Sequence, residues 1–405
     1  MTRLQTDNHA LPSALRLSLR SEVPPFIVMD VMQAAAERET KGDKVIHMEV
    51  GQPGTPAPRA ARERVAAALE RETLGYTVAL GLPALRERIA RHYEERYGIA
   101  VDAERVVVTT GSSAGFVLAF LTLFDAGSRV ALPSPGYPCY RHILTALGQT
   151  PVPIATDTAT RWMPTGAQIE EAFRTDAVTG LVVASPNNPT GTMLEPARLE
   201  EIAAACRSRG IWLVSDEIYH GLTYGMAEET ALAHASEAVV VNSFSKYFSM
   251  TGWRVGWLVV PPALVRPIER LAQNLYISPP TVSQVAALGA FDGRDELEAN
   301  RRVYAENREL LLAELPKAGL ERIVPADGAF YLYADVGRFT LDAHAFTREM
   351  LADIGIAATP GVDFDAERGG RYVRFCYAGT TGDMAEAARR LGAWGRLAGR
   401  PPVPG

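Results

Sequence analysis

From residue 105 onward the chain alternates short, nearly all-apolar β-type runs with helix-forming stretches, and this limits the fold more than any other feature. The runs are Arg105 to Thr110, Arg129 to Leu132, Leu181 to Ser185, Ile211 to Asp216, Ala238 to Ser243 and Gly256 to Val260. A strand that is apolar throughout must be covered on both faces, and strands separated by helices pair in parallel. The pattern predicts an α/β protein whose mostly parallel sheet lies between helices. In such sheets ligands collect outside the carboxyl ends of the strands.

After Pro279-Pro280 the texture changes. A charged helix at about 297–314, a strand at 329–334, a helix near 342–354, a strand at 371–377 and a final alanine-rich helix predict a second, smaller α/β domain. We place the large domain at 50–290 and the small one at 291–405. Residues 1–49 form an N-terminal arm, irregular up to Pro24-Pro25, with a helix over 28–40 and a strand over 45–50 that help complete the small domain.

Composition removes several alternatives. The 405 residues carry 41 Lys+Arg against 47 Asp+Glu, a formal charge of −6 without a basic run, which gives no support for nucleic-acid binding. The longest apolar stretch, Ala114 to Phe124, falls short of the ~18 residues of a membrane span and contains Gly115 and Thr122. The first residues lack a secretory layout. Cys139, Cys206 and Cys376 are too few for a disulfide framework. A cytoplasmic enzyme with no membrane partner is the expectation.

The most informative segment is Ser243-Phe244-Ser245-Lys246, directly after an apolar strand. A lysine there, taken alone, is a surface residue. Burial at a strand end would instead lower its pKa and make it a carbonyl-attacking amine. Arg254, eight residues on, sits between Gly252 and Gly256. Two serines, an arginine fork and flanking glycines suit a phosphate. Gly111-Ser112-Ser113, at a strand-to-helix junction, is a second anion-type element, although most such turns are simple caps. Asp216 closes a buried strand, where a carboxylate needs a cation. Asn188 ends the strand before it. A lysine, a phosphate cradle and a buried acid are together what pyridoxal phosphate requires. No dinucleotide glycine fingerprint or Walker-type loop competes with this reading. The histidines show no metal-type spacing, and no metal is expected.

Four ordered segments, NNPTG at 187–191, SDEIY at 215–219, SFSK at 243–246 and TGWRVGW at 251–257, make the chain resemble a class I aminotransferase of the aspartate aminotransferase superfamily, the fold-type I pyridoxal phosphate enzymes. The resemblance runs from Gly51-Gln52-Pro53 to the Arg374 strand. It implies a seven-stranded sheet in the large domain and pyridoxal 5'-phosphate as cofactor. Lys246 would hold that cofactor covalently and shuttle a proton. Asp216 would pair with its ring nitrogen, Tyr219 and Asn188 would bond its phenolic oxygen, and Tyr137 would stack on its face. Gly111, Ser112, Ser113, Ser243, Ser245 and Arg254 would surround its phosphate. Arg374 would grip the substrate carboxylate, near Gly51, Asn188 and Ile27. Tyr76 resembles the tyrosine that reaches the neighbouring subunit's phosphate, which implies a homodimer with shared sites.

The chain departs from aspartate-specific relatives at two places. Thr281-Val282-Ser283-Gln284-Val285 lacks their arginine, and Ser113 stands where another branch has lysine. Phe26 and Ile27 lie where the family lines its substrate pocket. A neutral, apolar or aromatic L-amino acid is therefore the expected donor, with 2-oxoglutarate or pyruvate as acceptor by a ping-pong mechanism. A β-lyase on the same scaffold shares every cofactor residue and is the alternative. A cofactor-sensing regulator would need a DNA-binding domain ahead of the first strand, and only about 40 residues precede it.

Overall fold

The computed structural model describes residues 15–397, so the first 14 residues of the expected arm lie outside it. Helix α1 (Ile27–Glu39) precedes β1 (Ile46–His47), and helices α2 (Arg59–Arg71) and α3 (Pro83–Tyr97) lead to β2 (Val106–Thr109). Pro83 opens α3, a position where its missing N–H costs nothing. The alternating region then reads α4 (Gly111–Leu123), β3 (Arg129–Ser134), α5 (Pro138–Ala146), β4 (Thr150–Ala155), α6 (Gly166–Asp176), β5 (Gly180–Ala184), α7 (Pro196–Arg209), β6 (Trp212–Asp216), β7 (Val239–Ser243) and β8 (Gly256–Val259). These seven strands, β2 to β8, form one sheet in the order β2-β8-β7-β6-β5-β3-β4.

All neighbours are parallel except β8, which runs against both β2 and β7. Successive residues of each strand face opposite ways. Val106, Val108, Leu181, Val183, Leu213 and Val240 enter one apolar core, whereas Val107, Val182, Val214, Val239 and Val241 enter a second on the other face. That double burial is why the strands read as continuous apolar runs. β4 has no such run, because Pro151 and Pro153 interrupt it; it is the sheet's edge strand, where prolines are tolerated.

Helices α8 (Pro262–Leu275), α9 (Thr281–Ala290) and α10 (Arg294–Glu314) follow, then β9 (Tyr331–Asp335), α11 (Ala343–Ile354), β10 (Ile356–Ala357), β11 (Thr359–Pro360), β12 (Tyr372–Cys376) and α12 (Thr381–Ala393). β11, β12 and β9 make an antiparallel sheet, and β10 pairs with β1 from the N-terminal segment.

The expected strand at 45–50 shrinks to Ile46–His47 for a visible reason. Beyond it the carbonyls serve other partners: Met48 O accepts from Cys376 N, Glu49 O from Arg374 and Thr359 side chains, and Gly51 O from Lys246. Likewise α4 begins at Gly111 rather than Ala114, which puts Ser112 and Ser113 in its first turn. Among the described residues, no helix is long and apolar enough to cross a membrane.

Candidate active site

The reversed strand β8 explains why distant motifs meet. Because β8 is antiparallel to β7, the connection from residue 244 to 255 stays at the carboxyl end of β7. Because β8 is also antiparallel to β2, the β2–α4 junction opens at that same end. Ala184, Asp216 and Ser243 are the last residues of β5, β6 and β7. Lys246, Arg254, Ser112 and Ser113 therefore gather around Asp216, and all five line one cavity of about 160 Å³.

Lys246 reaches into this cavity and donates from Nζ to Gly51 O at 2.5 Å. Burial, helped by the positive charges of Arg374 and Arg254, lowers its pKa to about 8. Asp216 is buried and accepts from the Tyr140 hydroxyl and, at 3.1 Å, from Ile218 N. Burial outweighs these donors and pushes its pKa up to about 6. No basic side chain hydrogen-bonds it among the described residues, and Lys246 in the same cavity acts on it through charge alone.

At the cavity's phosphate-like end, Gly111 has φ +75° and begins α4. A Cβ there would sit 2.5 Å from Arg254 Nη2, so only glycine lets the guanidinium lie against the helix start. Arg254 adopts a left-handed backbone (φ +52°), with Nη1 on Thr251 O at 3.0 Å. Ser245 and Thr251 also line this end. Ser243 does not line the cavity. Its hydroxyl donates to Val255 O at 3.0 Å and lies in hydrogen-bond contact with Ser245 Oγ at 2.9 Å, and so it braces Ser245 instead.

At the opposite end Arg374 is almost wholly buried. Its Nη1 donates to Asn188 Oδ1 at 2.7 Å, and its Nη2 donates to Glu49 O and to Thr359 Oγ1. Its Cζ lies 4.3 Å from the Tyr331 ring centre and 4.7 Å from that of Phe364. Nε is buried without a partner, an orphan donor that an acid group would satisfy. Tyr219 and Tyr331 share a 2.6 Å hydroxyl contact, and burial holds the Tyr219 phenol well above its ordinary pKa. Gly51 also lines the cavity, and a Cβ on it would collide with the Tyr331 hydroxyl. Tyr137 completes one wall, its ring edge-on to Phe26 and Tyr140.

Two further expected site residues, Ile27 and Tyr76, do not line the cavity either. The Ile27 N–H is tied to Asp363, while Phe26, Val28 and Met29 beside it do face the site. Tyr76 is 83% exposed and lies outside the cavity of its own chain. Sequence reasoning missed Tyr140, Thr251, Tyr331, Thr359 and Phe364. Only Tyr140 had a local signal, one helical turn after Tyr137 and immediately inside a helix opened by Pro138.

These residues fit pyridoxal phosphate. A buried carboxylate lacks a hydrogen-bonded cation, a desolvated lysine faces it, and a helix start with Arg254 forms an anion cradle that glycine alone permits.

The chain is similar to known proteins over most of its length. The family described as aminotransferase class I and II matches residues 43–391. A valine–pyruvate aminotransferase of Mycobacterium tuberculosis is 51% identical over 386 residues, covering 94% of this chain and 98% of its own. The crystal structure of an aminotransferase from M. tuberculosis superposes with a TM-score of 0.92 at 51% identity, over 94% of this chain and 99% of that one. Thermus thermophilus aspartate aminotransferase with maleate gives a TM-score of 0.88 at 30% identity, over 94% of this chain and 99% of that one.

Proposed function

This chain belongs to the class I and II aminotransferases, pyridoxal phosphate enzymes that move an amino group from an amino acid to a 2-oxo acid, and on that premise we propose that its donor is a small apolar amino acid such as valine or alanine, with pyruvate as acceptor. One observation carries the substrate reading. Away from Arg374, the cavity is lined by Phe26, Val28, Met29, Val50 and Ile218, and its only basic residues are Lys246, Arg254 and Arg374. A donor with a second carboxylate would bury that charge uncompensated. The name of the M. tuberculosis relative points the same way.

The residues divide the work by their chemistry. Arg374, with a free Nε and Asn188 fixed against Nη1, binds and orients the α-carboxylate of either substrate. When bound, the cofactor supplies the electron sink that makes the substrate α-hydrogen acidic. Asp216 would hold its protonated ring nitrogen by charge, and Tyr219 and Asn188, which line the same cavity, would donate to its phenolic oxygen. Lys246, once its amine is free, takes the α-proton on Nζ and later gives one back; a pKa of about 8 suits both directions near neutral pH. Phe26 and Tyr137 keep water from the acidic carbon. A β-lyase would need the same cofactor residues, but none of the comparisons favours elimination.

The same reading includes a cytoplasmic homodimer with a large domain at 50–290 and a small one at 291–405. In its support, the seven-stranded sheet falls within 50–290 and the three-stranded one within 291–405, and all three cysteines are free. Tyr76 is exposed on a segment held to α9 by Thr281 Oγ1 on Gly75 O and by Gln284 Nε2 on Thr77 Oγ1.

Stopped-flow absorbance of the lysine-linked cofactor, with alanine, valine and aspartate offered separately, tests the donor. Valine and alanine should bleach it and pyruvate should restore it. A preference for aspartate would overturn the reading.

A further inference from the structure

Helix α1 has no cap of its own. Its N-cap residue is Phe26, whose side chain offers no acceptor. The first N–H groups are satisfied from the far end of the chain: Ile27 N donates to Asp363 Oδ1 at 3.2 Å, and Val28 N to Oδ2 at 3.3 Å. Asp363 is 1% exposed, so this carboxylate is committed to the task. Placed against a helix start it also meets the favourable end of the helix dipole.

The neighbours give this cap a functional address. Phe26, Val28 and Met29, on either side of the capped peptide, are the apolar wall of the substrate cavity. The next residue after Asp363 is Phe364, whose ring lies against the Arg374 guanidinium. Arg141 Nη2 donates to Asp363 O at 2.6 Å and anchors the turn to α5, which begins directly after Tyr137. A single short turn, Gly361–Asp363, thus joins the wall that meets the donor side chain to the group that meets its carboxylate.

We propose that Asp363 is a positioning residue for donor selection: by capping α1 it sets the distance between the Phe26–Met29 wall and Arg374, and so the size of apolar side chain that fits. The inference rests on the apolar-donor reading above. Asp363 touches neither substrate nor cofactor and acts only through α1.

Asp363→Asn tests it at constant size. An amide oxygen can take one of the two N–H groups, while its NH2 opposes the other. Two readouts are needed. Hydrogen–deuterium exchange over residues 26–31 should accelerate in the holoenzyme variant. The ratio of kcat/KM for valine over alanine should fall about tenfold, the low end of the roughly tenfold to 200-fold that a methylene is worth in an apolar pocket. The change should sit in KM for valine, with kcat for alanine nearly unchanged. Ile27→Pro removes one donor from the helix side, at a position that tolerates proline, and should move the ratio in the same direction. In the Asp363→Asn, Phe26→Ala double variant the two effects should be less than additive. Unchanged exchange overturns the cap. Faster exchange with an unmoved valine-to-alanine ratio in an enzyme that uses both donors overturns the inference alone. A wild-type enzyme that refuses both overturns the donor reading, and the inference with it.

Discussion

Replacing Asp216 by asparagine should make the cofactor-free protein more stable at neutral pH while weakening its hold on the cofactor. The carboxylate is buried with only Tyr140 and Ile218 as donors, and its pKa rises from 3.8 to about 6. A group whose folded pKa is raised contributes stability that is complete below the unfolded value and is lost as pH climbs through the folded one. Between pH 4 and 6 the apoprotein should therefore lose roughly 3 kcal/mol through this residue. Asparagine cannot ionise, so the variant should keep what the wild type loses. Urea denaturation of both apoproteins at pH 4.5, 6 and 8 reads this directly. The variant should lead by only about 1 kcal/mol at pH 4.5 and by about 3 kcal/mol at pH 8. Cofactor affinity should move the opposite way, because the uncompensated charge that destabilises the apoprotein is what attracts a ring cation. Tyr140→Phe should shift the wild-type transition to higher pH, since a hydrogen bond to a charged group is worth about 1.5–3 kcal/mol. Parallel pH profiles for wild type and Asp216→Asn would refute the reasoning: the carboxylate would then not be carrying a desolvation cost.

Three further substitutions address the rest of the site. Lys246→Ala should abolish turnover and the visible absorption of the lysine-linked cofactor while leaving the circular dichroism spectrum unchanged. Arg374→Lys should raise KM for donor and acceptor alike by roughly 30- to 100-fold, because an ammonium cannot replace the fork that also holds Asn188 and Glu49 O; steady-state kinetics with both substrates varied would check it, and a change confined to one substrate would count against a shared carboxylate site. Gly111→Ala should cost about 1 kcal/mol in backbone strain, since φ is +75°. Its larger effect should be on apoprotein affinity for pyridoxal phosphate, measured by titration, because the new methyl displaces Arg254 rather than any backbone.

The parts of the site that the sequence made legible are those tied to strand ends. Asp216, Asn188 and Lys246 follow apolar runs closely, and a run apolar on both faces has a unique structural meaning in an α/β sheet. Arg254 and Gly111 were legible for a related reason: glycine spacing near a helix start marks close backbone approach. What could not be read was the set of partners supplied across sheets. Tyr331 bonds Tyr219 over 112 positions, and Thr359 meets Arg374 from an adjacent strand. Nothing in a tyrosine or threonine inside an apolar strand distinguishes such a contact from core packing. Ile27 shows the same limit in miniature. The segment was right, but helix phase and the Asp363 cap turn its neighbours to the cavity.

The short peptide from Glu49 to Gly51 has a consequence for how the site is held. Its carbonyls accept from Arg374 and from Lys246, the two cations proposed above to meet the substrate carboxylate and the cofactor. The backbone therefore holds both cations in place, while Arg374 Nε is left without a partner. A change to the backbone of residues 49–51 thus acts on both cations at once, through carbonyls and not through any side chain.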